Sequence, residues 1–177
     1  MGMVAMNRAV FLDRDGVINR VVLKAGKPFS PKSVTDLVLN DGIADFLTIT
    51  RKVGFINIVF TNQPDVARKL MDSKDLQVIH DFLRKNLVID DIYLCPHDDT
   101  DNCFCRKPKP GMLIEAARKW AIDLKSSFVV GDQWKDAQAG RAAGCITILL
   151  DFPYNKSAEC DHRSADLQSA LEFITCS

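Results

Sequence analysis

The chain has 177 residues, with 23 basic and 23 acidic side chains, so its formal net charge is zero. This length suits one α/β domain, and the balanced charge provides no overall field that would recruit nucleic acid or an anionic membrane surface. No apolar run approaches the ~20 residues that span a bilayer, and the first residues lack the pattern of a secretory signal. We therefore expect a single-domain, monomeric, cytoplasmic protein whose partner is a small molecule, with neither nucleic acid nor a membrane as a partner.

Short apolar runs alternate with helical patterns along the chain. The runs that we interpret as buried strands are residues 8–13, 55–61, 127–132 and 146–150, with a further strand within 88–95. The helical patterns cover residues 42–53, 74–87, 111–122, 134–143 and 165–175. Asp72 or Ser73 is the candidate N-cap of the second helix, and Ser164 is that of the last.

This alternation predicts an α/β fold with a doubly wound, mainly parallel Rossmann-like sheet and helices on both faces. The core covers about residues 8–150, and a helical segment follows at about 164–175. We see no large cap domain between the motifs, and we interpret residues 24–32 as a loop that could form a small flap over the site.

Two carboxylates, Asp13 and Asp15, follow the first predicted strand, and Gly16 allows a tight turn there. One carboxylate can attack phosphorus while the other protonates the leaving oxygen and later removes a proton from water. Acids beside a phosphate need a hard cation such as Mg²⁺, and Asp132 and Asp136 can complete its site. A pair of aspartates alone is more often a turn or a cap, so the hypothesis depends on the other clusters.

A phosphate also needs positive and hydrogen-bonding partners. Thr61 and Asn62 follow the second predicted strand and offer a hydroxyl and an amide, while Lys107 offers a point charge and Arg106 a planar fork. Each of these residues alone is typical of a polar surface, and only their combination indicates a site.

A short polar loop contains three cysteines and a histidine at the spacing of a metal site. Three thiolates and one imidazole complete the tetrahedral ligand set of structural zinc, which would hold the adjacent Arg106 and Lys107 in place. The alternative is a group of buried or reactive thiols beside a surface histidine. The predicted zinc ligands are Cys95, His97, Cys103 and Cys105.

The motifs FLDRDGVIN, TNQ, CRKPKPGM and GDQWKDAQAG occur in an order that resembles the haloacid dehalogenase superfamily of phosphohydrolases. The chain looks like the branch that contains the heptose bisphosphate and histidinol-phosphate phosphatases, in which the Cys and His pattern also occurs. This resemblance implies that Asp13 is the nucleophile and Asp15 the acid and base. It implies Mg²⁺ held by the Asp13 side chain, the Asp15 carbonyl and Asp132, with Asp136 ordering metal-bound water. Phosphoryl contacts would come from Thr61 and Lys107, and further substrate contacts from Asn62, Gln63, Arg68 and Arg106.

One departure from this pattern affects specificity. The heptose enzymes typically have TNQSGIARG after the second strand, whereas this chain has TNQPDVARK at residues 61–69. Asp65 could repel a second phosphate and Lys69 could attract one, and Pro64 replaces a small residue. The reaction class is unaffected, but the identity of the sugar is left open.

Four functions are compatible with these motifs. The first is a heptose 1,7-bisphosphate 7-phosphatase in the biosynthesis of nucleotide-activated heptose. The second is a histidinol-phosphate phosphatase or a phosphatase for another small phosphorylated metabolite. A polynucleotide 3'-phosphatase is disfavoured by the neutral charge. A catalytically silent, zinc-stabilised binding module is disfavoured because both Asp13 and Asp15 are present.

Overall fold

The computed structural model describes residues 6–25 and 27–177, and a six-stranded parallel sheet lies at its centre. The strands are Arg8–Leu12 (β1), Val22–Lys24 (β2), Lys27–Phe29 (β3), Phe55–Asn62 (β4), Asp91–Cys95 (β5), Phe128–Gly131 (β6), Ile146–Leu150 (β7) and His162–Ser164 (β8). The large sheet has the order β5-β4-β1-β6-β7-β8, and β2 and β3 form a separate antiparallel pair. The expected doubly wound parallel sheet is therefore confirmed.

Within the described part of the chain, five α-helices cover the two faces of the sheet. They are Ile43–Lys52 (α1), Ser73–Asn86 (α2), Gly111–Trp120 (α3), Trp134–Ala143 (α4) and Leu167–Cys176 (α5). Alternate residues of β1 explain this layering, because Val10 and Leu12 pack with α1, α2 and α5 while Ala9 and Phe11 pack with α3 and α4. Among the described residues, no helix combines the length and apolar content that crossing a bilayer requires.

The end of the chain differs from the sequence prediction. Ser164 was expected to cap a helix over residues 165–175, but it lies in β8 and pairs with Leu150. Asp166 is the N-cap instead, and its carboxylate accepts a hydrogen bond from the Ser169 amide at 2.8 Å. The capping prediction was wrong because the chain forms an additional edge strand, β8, which the polar residues His162–Ser164 do not indicate.

The segment expected as a loop at residues 24–32 is partly a hairpin. Val22 pairs with Phe29 across β2 and β3, and Gly26 lies outside the described residues. Each of these strands has three residues, which is too short for a periodic pattern to indicate it in the sequence. The hairpin stands beside the carboxyl end of β1, where Ser30 donates a hydrogen bond to Asp15.

The order of the strands places a crevice at the centre of the sheet, between the carboxyl ends of β1 and β6. From β1 the chain passes to β4 and β5 on one side, and it later returns to β6, β7 and β8 on the other. The crevice at such a reversal, beyond the carboxyl ends of the strands, is the usual ligand site in parallel sheets. Asp13 follows β1 and Asp132 follows β6 at this point.

Candidate active site

Three acids meet at the carboxyl ends of β1 and β6, and we call them the acid cluster: Asp13, Asp132 and Asp136. Each offers a carboxylate oxygen within 4.8 Å of the others, and all three side chains are buried. Asp13 and Asp136 also line a cleft of about 150 Å³ that opens beside them. The structure therefore brings together the acids that the sequence predicted as partners.

Lys107 joins two of these acids from the side of β4. Its Nζ lies 2.8 Å from Asp13 Oδ1 and 2.7 Å from Asp136 Oδ1, and it donates to the Phe60 carbonyl at 3.1 Å. Burial alone lowers the pKa of Lys107, but Asp13 and Asp136 outweigh burial and raise it above its ordinary value. The lysine is thus held as a buried cation that faces the cleft.

A single lysine does not balance three carboxylates. Burial raises the pKa of Asp13 to about 7, and Asp136 and Asp15 add to the shift while Lys107 opposes it. Burial, followed by the charges of Asp136 and Asp13, also raises the pKa of Asp132 well above its ordinary value. Among the described residues nothing bonds to the buried Asp132 Oδ1. This oxygen-rich site with excess negative charge fits a hard divalent cation such as Mg²⁺.

Gly16 allows the turn after β1 to approach the Asp132 side chain closely. Its φ of 97° is unfavourable for residues with a side chain, and a Cβ at this position would overlap the Asp132 carboxylate. The glycine in the DRDG turn is therefore required by both the backbone conformation and the neighbouring acid.

Asp15 lies beside the acid cluster but is held by a separate set of donors. Arg14 donates to both of its oxygens, at 3.1 and 2.9 Å. Three further side chains donate at 2.7 to 3.0 Å, namely Asn19, Ser30 and Gln63. Burial would raise the pKa of Asp15, but Arg14 and these hydrogen bonds lower it below its ordinary value.

The three residues of the TNQ motif have different surroundings. Thr61 is buried, and its hydroxyl accepts a hydrogen bond from the Gln63 amide at 2.9 Å. Asn62 lines the cleft and makes two hydrogen bonds of 3.1 Å to the backbone of Lys107, one from its amide and one to its carbonyl oxygen. In this arrangement Asn62 fixes the main chain that carries Lys107, and Gln63 fixes Asp15.

The two candidate arginines differ in their relation to the cleft. Arg106 lines it and is held from the adjacent loop, by Asp99 at 2.7 Å and by the His97 carbonyl at 3.0 Å. Arg68 instead makes a bidentate pair with Asp98, at 2.7 and 2.6 Å, and does not line this cleft. Of these two arginines, Arg106 is therefore the one that lines the cleft.

The residues that depart from the family pattern lie at different positions. Pro64 lines the cleft, whereas Asp65 forms ion pairs with Lys32 at 3.8 Å and Arg68 at 4.0 Å. Lys69 is exposed and has a φ of 57°, a conformation that is typical of glycine.

The predicted zinc ligands converge in the loop at residues 95–105, which we call the Cys–His loop. Its three sulfur atoms lie 3.2 to 3.6 Å apart, and His97 Nδ1 lies 3.3 Å from Cys105 Sγ and 3.6 Å from Cys95 Sγ. Thiolates about 2.3 Å from a tetrahedral ion are about 3.8 Å apart, so the cluster has nearly this size. The four side chains can hold one metal ion.

Several functional contacts were not predicted from the sequence. Arg14 is fully buried between Asp15 and His80, whose Nε2 lies 3.3 Å from the guanidinium. Tyr154 donates a hydrogen bond to Asp132 Oδ2 at 2.7 Å. The only sequence signal for Arg14 is its position between two acids, and Tyr154 lies in a loop without a motif.

A parallel sheet with an aspartate pair after β1, a buried lysine and further acids after β6 defines a phosphohydrolase of the haloacid dehalogenase type. A family model described as HAD-hydrolase-like matches residues 104–169. The chain is 36% identical to a D-glycero-beta-D-manno-heptose-1,7-bisphosphate 7-phosphatase of Helicobacter pylori, over 84% of this chain and 85% of the relative. It is also 36% identical to the corresponding alpha-specific phosphatase of Burkholderia mallei, over 95% of this chain and 92% of the relative.

Solved structures agree with this assignment. The heptose bisphosphate phosphatase of Bordetella bronchiseptica, crystallised with magnesium and phosphate, has a TM-score of 0.83 at 30% identity, covering 96% of this chain and 98% of that chain. The chain therefore belongs to the D-glycero-D-manno-heptose 1,7-bisphosphate phosphatase family of haloacid dehalogenase-like phosphatases.

Proposed function

We propose that the protein hydrolyses the 7-phosphate of a D-glycero-D-manno-heptose 1,7-bisphosphate through a phosphorylated Asp13. The observation that carries this proposal is the acid cluster with its buried lysine, in a chain that matches heptose bisphosphate phosphatases over most of its length. Phosphatases for both the alpha and the beta anomer are among these relatives, so the proposal includes both anomers.

In the first step, an Asp13 oxygen attacks phosphorus and the bond to the sugar oxygen breaks. Asp15 supplies the proton that the leaving oxygen needs, so it has to enter this step as a carboxylic acid, although its present donors hold its pKa below the ordinary value. The Lys107 ammonium lies 2.8 Å from Asp13 Oδ1. From this position it can stabilise negative charge on Asp13 and then on the transferring phosphoryl group. The Thr61 hydroxyl and Arg106 are the further phosphate and substrate contacts that we propose.

In the second step, Asp15 removes a proton from water, and the water attacks phosphorus to release phosphate and regenerate the Asp13 carboxylate. To contact substrate or water, Asp15 has to exchange one of its present donors. Ser30 is the best candidate for this exchange because it lies at the end of the β2 and β3 hairpin, whereas Arg14 and Gln63 are buried.

Mg²⁺ would be held by the side chains of Asp13 and Asp132 and by the Asp15 carbonyl, with Asp136 ordering its water. When bound, it neutralises the acids and the phosphate and polarises the phosphoryl oxygens. Both Asp136 oxygens are already engaged, by Lys107 and by the amides of Asp132 and Gln133, which supports an indirect role.

We further infer that the Cys–His loop binds a structural zinc ion. Four protein ligands leave no position for a reactive water, so this ion would serve stability. The hydrogen bonds from Arg106 to Asp99 and to the His97 carbonyl would then connect zinc binding to the geometry of the cleft.

A substrate panel tests the proposed activity. The purified protein is assayed for phosphate release from both anomers of heptose 1,7-bisphosphate, from histidinol phosphate and from an aryl phosphate, with Mg²⁺ and with EDTA. We expect the highest kcat/KM for a heptose bisphosphate and loss of turnover in EDTA. Preference for histidinol phosphate would reject the substrate, and turnover in EDTA would reject the role of the cation.

A further inference from the structure

The turn that follows β7 is fastened to the end of β6. The Asn155 amide donates to the carbonyls of Asp132 and Leu150, both at 2.7 Å, and Asn155 is buried. Arg163 of β8 donates to Asn155 Oδ1 at 3.0 Å. Because the turn is held from two strands, the side chain that precedes Asn155 has a defined position relative to Asp132.

That side chain is Tyr154, and its hydroxyl reaches the acid cluster. It donates to Asp132 Oδ2 at 2.7 Å, and its ring stacks on Phe152 with centroids 5.2 Å apart and planes inclined by 4°. The other oxygen, Asp132 Oδ1, is buried and bonds to none of the described residues. The two oxygens of Asp132 are thus differentiated by a single hydrogen bond.

We propose that Tyr154 is a positioning residue that fixes the Asp132 carboxylate so that Oδ1 is presented to the divalent cation. This inference rests on the proposed function, since it assumes that Asp132 is a ligand of that cation. Partners that hydrogen-bond to metal ligands commonly change metal affinity by about 10-fold to 100-fold when they are removed.

The backbone of Asp132 does not depend on Tyr154. Its amide donates to Asp136 Oδ2 at 3.2 Å, and its carbonyl accepts from Asn155. Removal of the Tyr154 hydroxyl therefore leaves the Asp132 backbone in place and allows only its carboxylate to rotate. The role that we propose predicts weaker cation binding with an unchanged fold, whereas a purely structural role predicts a less stable protein with unchanged cation binding.

The two tyrosines of the chain provide a matched pair of variants. Tyr154→Phe removes the hydroxyl at Asp132, and Tyr93→Phe removes one from β5, where Tyr93 belongs to the apolar cluster on the side of α3. The zinc-loaded, full-length proteins are titrated with Mn²⁺ as a probe for the Mg²⁺ site, and free Mn²⁺ is measured by electron paramagnetic resonance. The Asp132→Asn variant shows which part of the Mn²⁺ binding occurs at the acid cluster. Thermal unfolding of each protein, with no divalent cation at the acid cluster, is recorded in parallel.

We expect the Mn²⁺ dissociation constant to rise at least about tenfold in Tyr154→Phe and to stay unchanged in Tyr93→Phe. An unchanged dissociation constant in Tyr154→Phe, with or without a lower melting temperature, would overturn the role of Tyr154 alone. If the wild-type protein has no Mn²⁺ site that Asp132→Asn removes, the proposed metal site itself fails.

Discussion

The acid cluster and the Cys–His loop lie next to each other but are held in place by different means. The acids follow strands whose apolar residues are fully buried, and β1 has no exposed residue from Ala9 to Leu12. The Cys–His loop is polar over much of its length, and its one large apolar side chain, Phe104, is 62% exposed. A sheet can hold charged groups together without an ion, whereas a loop without an apolar core needs a ligand or an ion to order it.

This comparison predicts that changes in the acid cluster affect chemistry more than folding. Asp13→Asn keeps the size of the side chain but removes its charge and its nucleophilic oxygen. We expect kcat to fall on the order of 10⁴-fold or more, with zinc content and melting temperature at least as high as in the wild type. Asp41→Asn is the control, because the Asp41 side chain is 94% exposed and its ion pair with Arg20 lies at the surface. Retained activity in Asp13→Asn would exclude Asp13 as the nucleophile.

The opposite pattern is expected for the Cys–His loop. Cys103→Ser removes one thiolate, and we expect loss of zinc in elemental analysis and a lower melting temperature. Activity should fall less than in Asp13→Asn, by about 10-fold to 100-fold, because Arg106 loses its support. Cys176→Ser, which changes an exposed cysteine at the end of α5, should leave zinc content unaltered. Full zinc retention in Cys103→Ser would show that this residue is not a ligand.

A pH titration of stability can separate the two regions further. His80 is buried beside Arg14, whose guanidinium lies 3.3 Å from its Nε2, and burial followed by the charge of Arg14 lowers its pKa from 6.5 to about 4. Above pH 6.5 it is neutral whether the protein is folded or not, but between pH 6.5 and 4 only the unfolded chain takes up the proton. The contribution of His80 to the free energy of unfolding should therefore fall over this range by up to about 3 kcal/mol, while the raised pKa values of Asp13 and Asp132 act in the opposite direction.

His80→Gln removes this titration and keeps an acceptor for Arg14. In urea unfolding at pH 7 and pH 5, we expect the variant to lose less free energy of unfolding than the wild type. Equal losses in the two proteins would show that His80 is not buried as a neutral group. His162→Gln is the control, because this histidine lies in the edge strand β8, where it stacks on Phe173 with ring centroids 3.9 Å apart.

The smallest effect is expected at Arg68, where the sequence and the structure suggest different roles. Its pair with Asp98 is partly exposed, so Arg68→Met should lower the free energy of unfolding by less than about 1 kcal/mol. If Arg68 only restrains the Cys–His loop, KM for heptose bisphosphate should stay within about twofold of the wild type. A rise of KM on the order of tenfold with an unchanged kcat would instead support the substrate contact that the resemblance implies.

The parts of the fold that the sequence predicted are those with a strong local pattern. The apolar runs of β1, β4, β6 and β7 are buried on both faces, and those of β1, β4 and β6 end at the polar residues that form the site. Asp72, one of two candidate caps for α2, accepts from the Lys74 amide at 2.8 Å. The spacing of the cysteines and His97 likewise predicted the cluster in which these side chains meet.

Contacts between distant segments could not be predicted in this way. Tyr154 meets Asp132 across 22 residues, Arg68 pairs with Asp98 across 30, and Arg14 contacts His80 across 66. None of these pairs has a periodic or spaced pattern, because each depends on how two strands or loops meet after folding. The same is true of β8, whose three residues are ordered by pairing with β7.

The most direct test of the account is chemical trapping of the phosphorylated enzyme. The protein is mixed with heptose bisphosphate and Mg²⁺, quenched in acid during turnover and reduced with borohydride, which converts an aspartyl phosphate to homoserine. Peptide mass spectrometry should find homoserine at position 13 in the wild type and none in Asp13→Asn. Homoserine at another acid, such as Asp132, or no reduction during active turnover, would contradict the central role of Asp13.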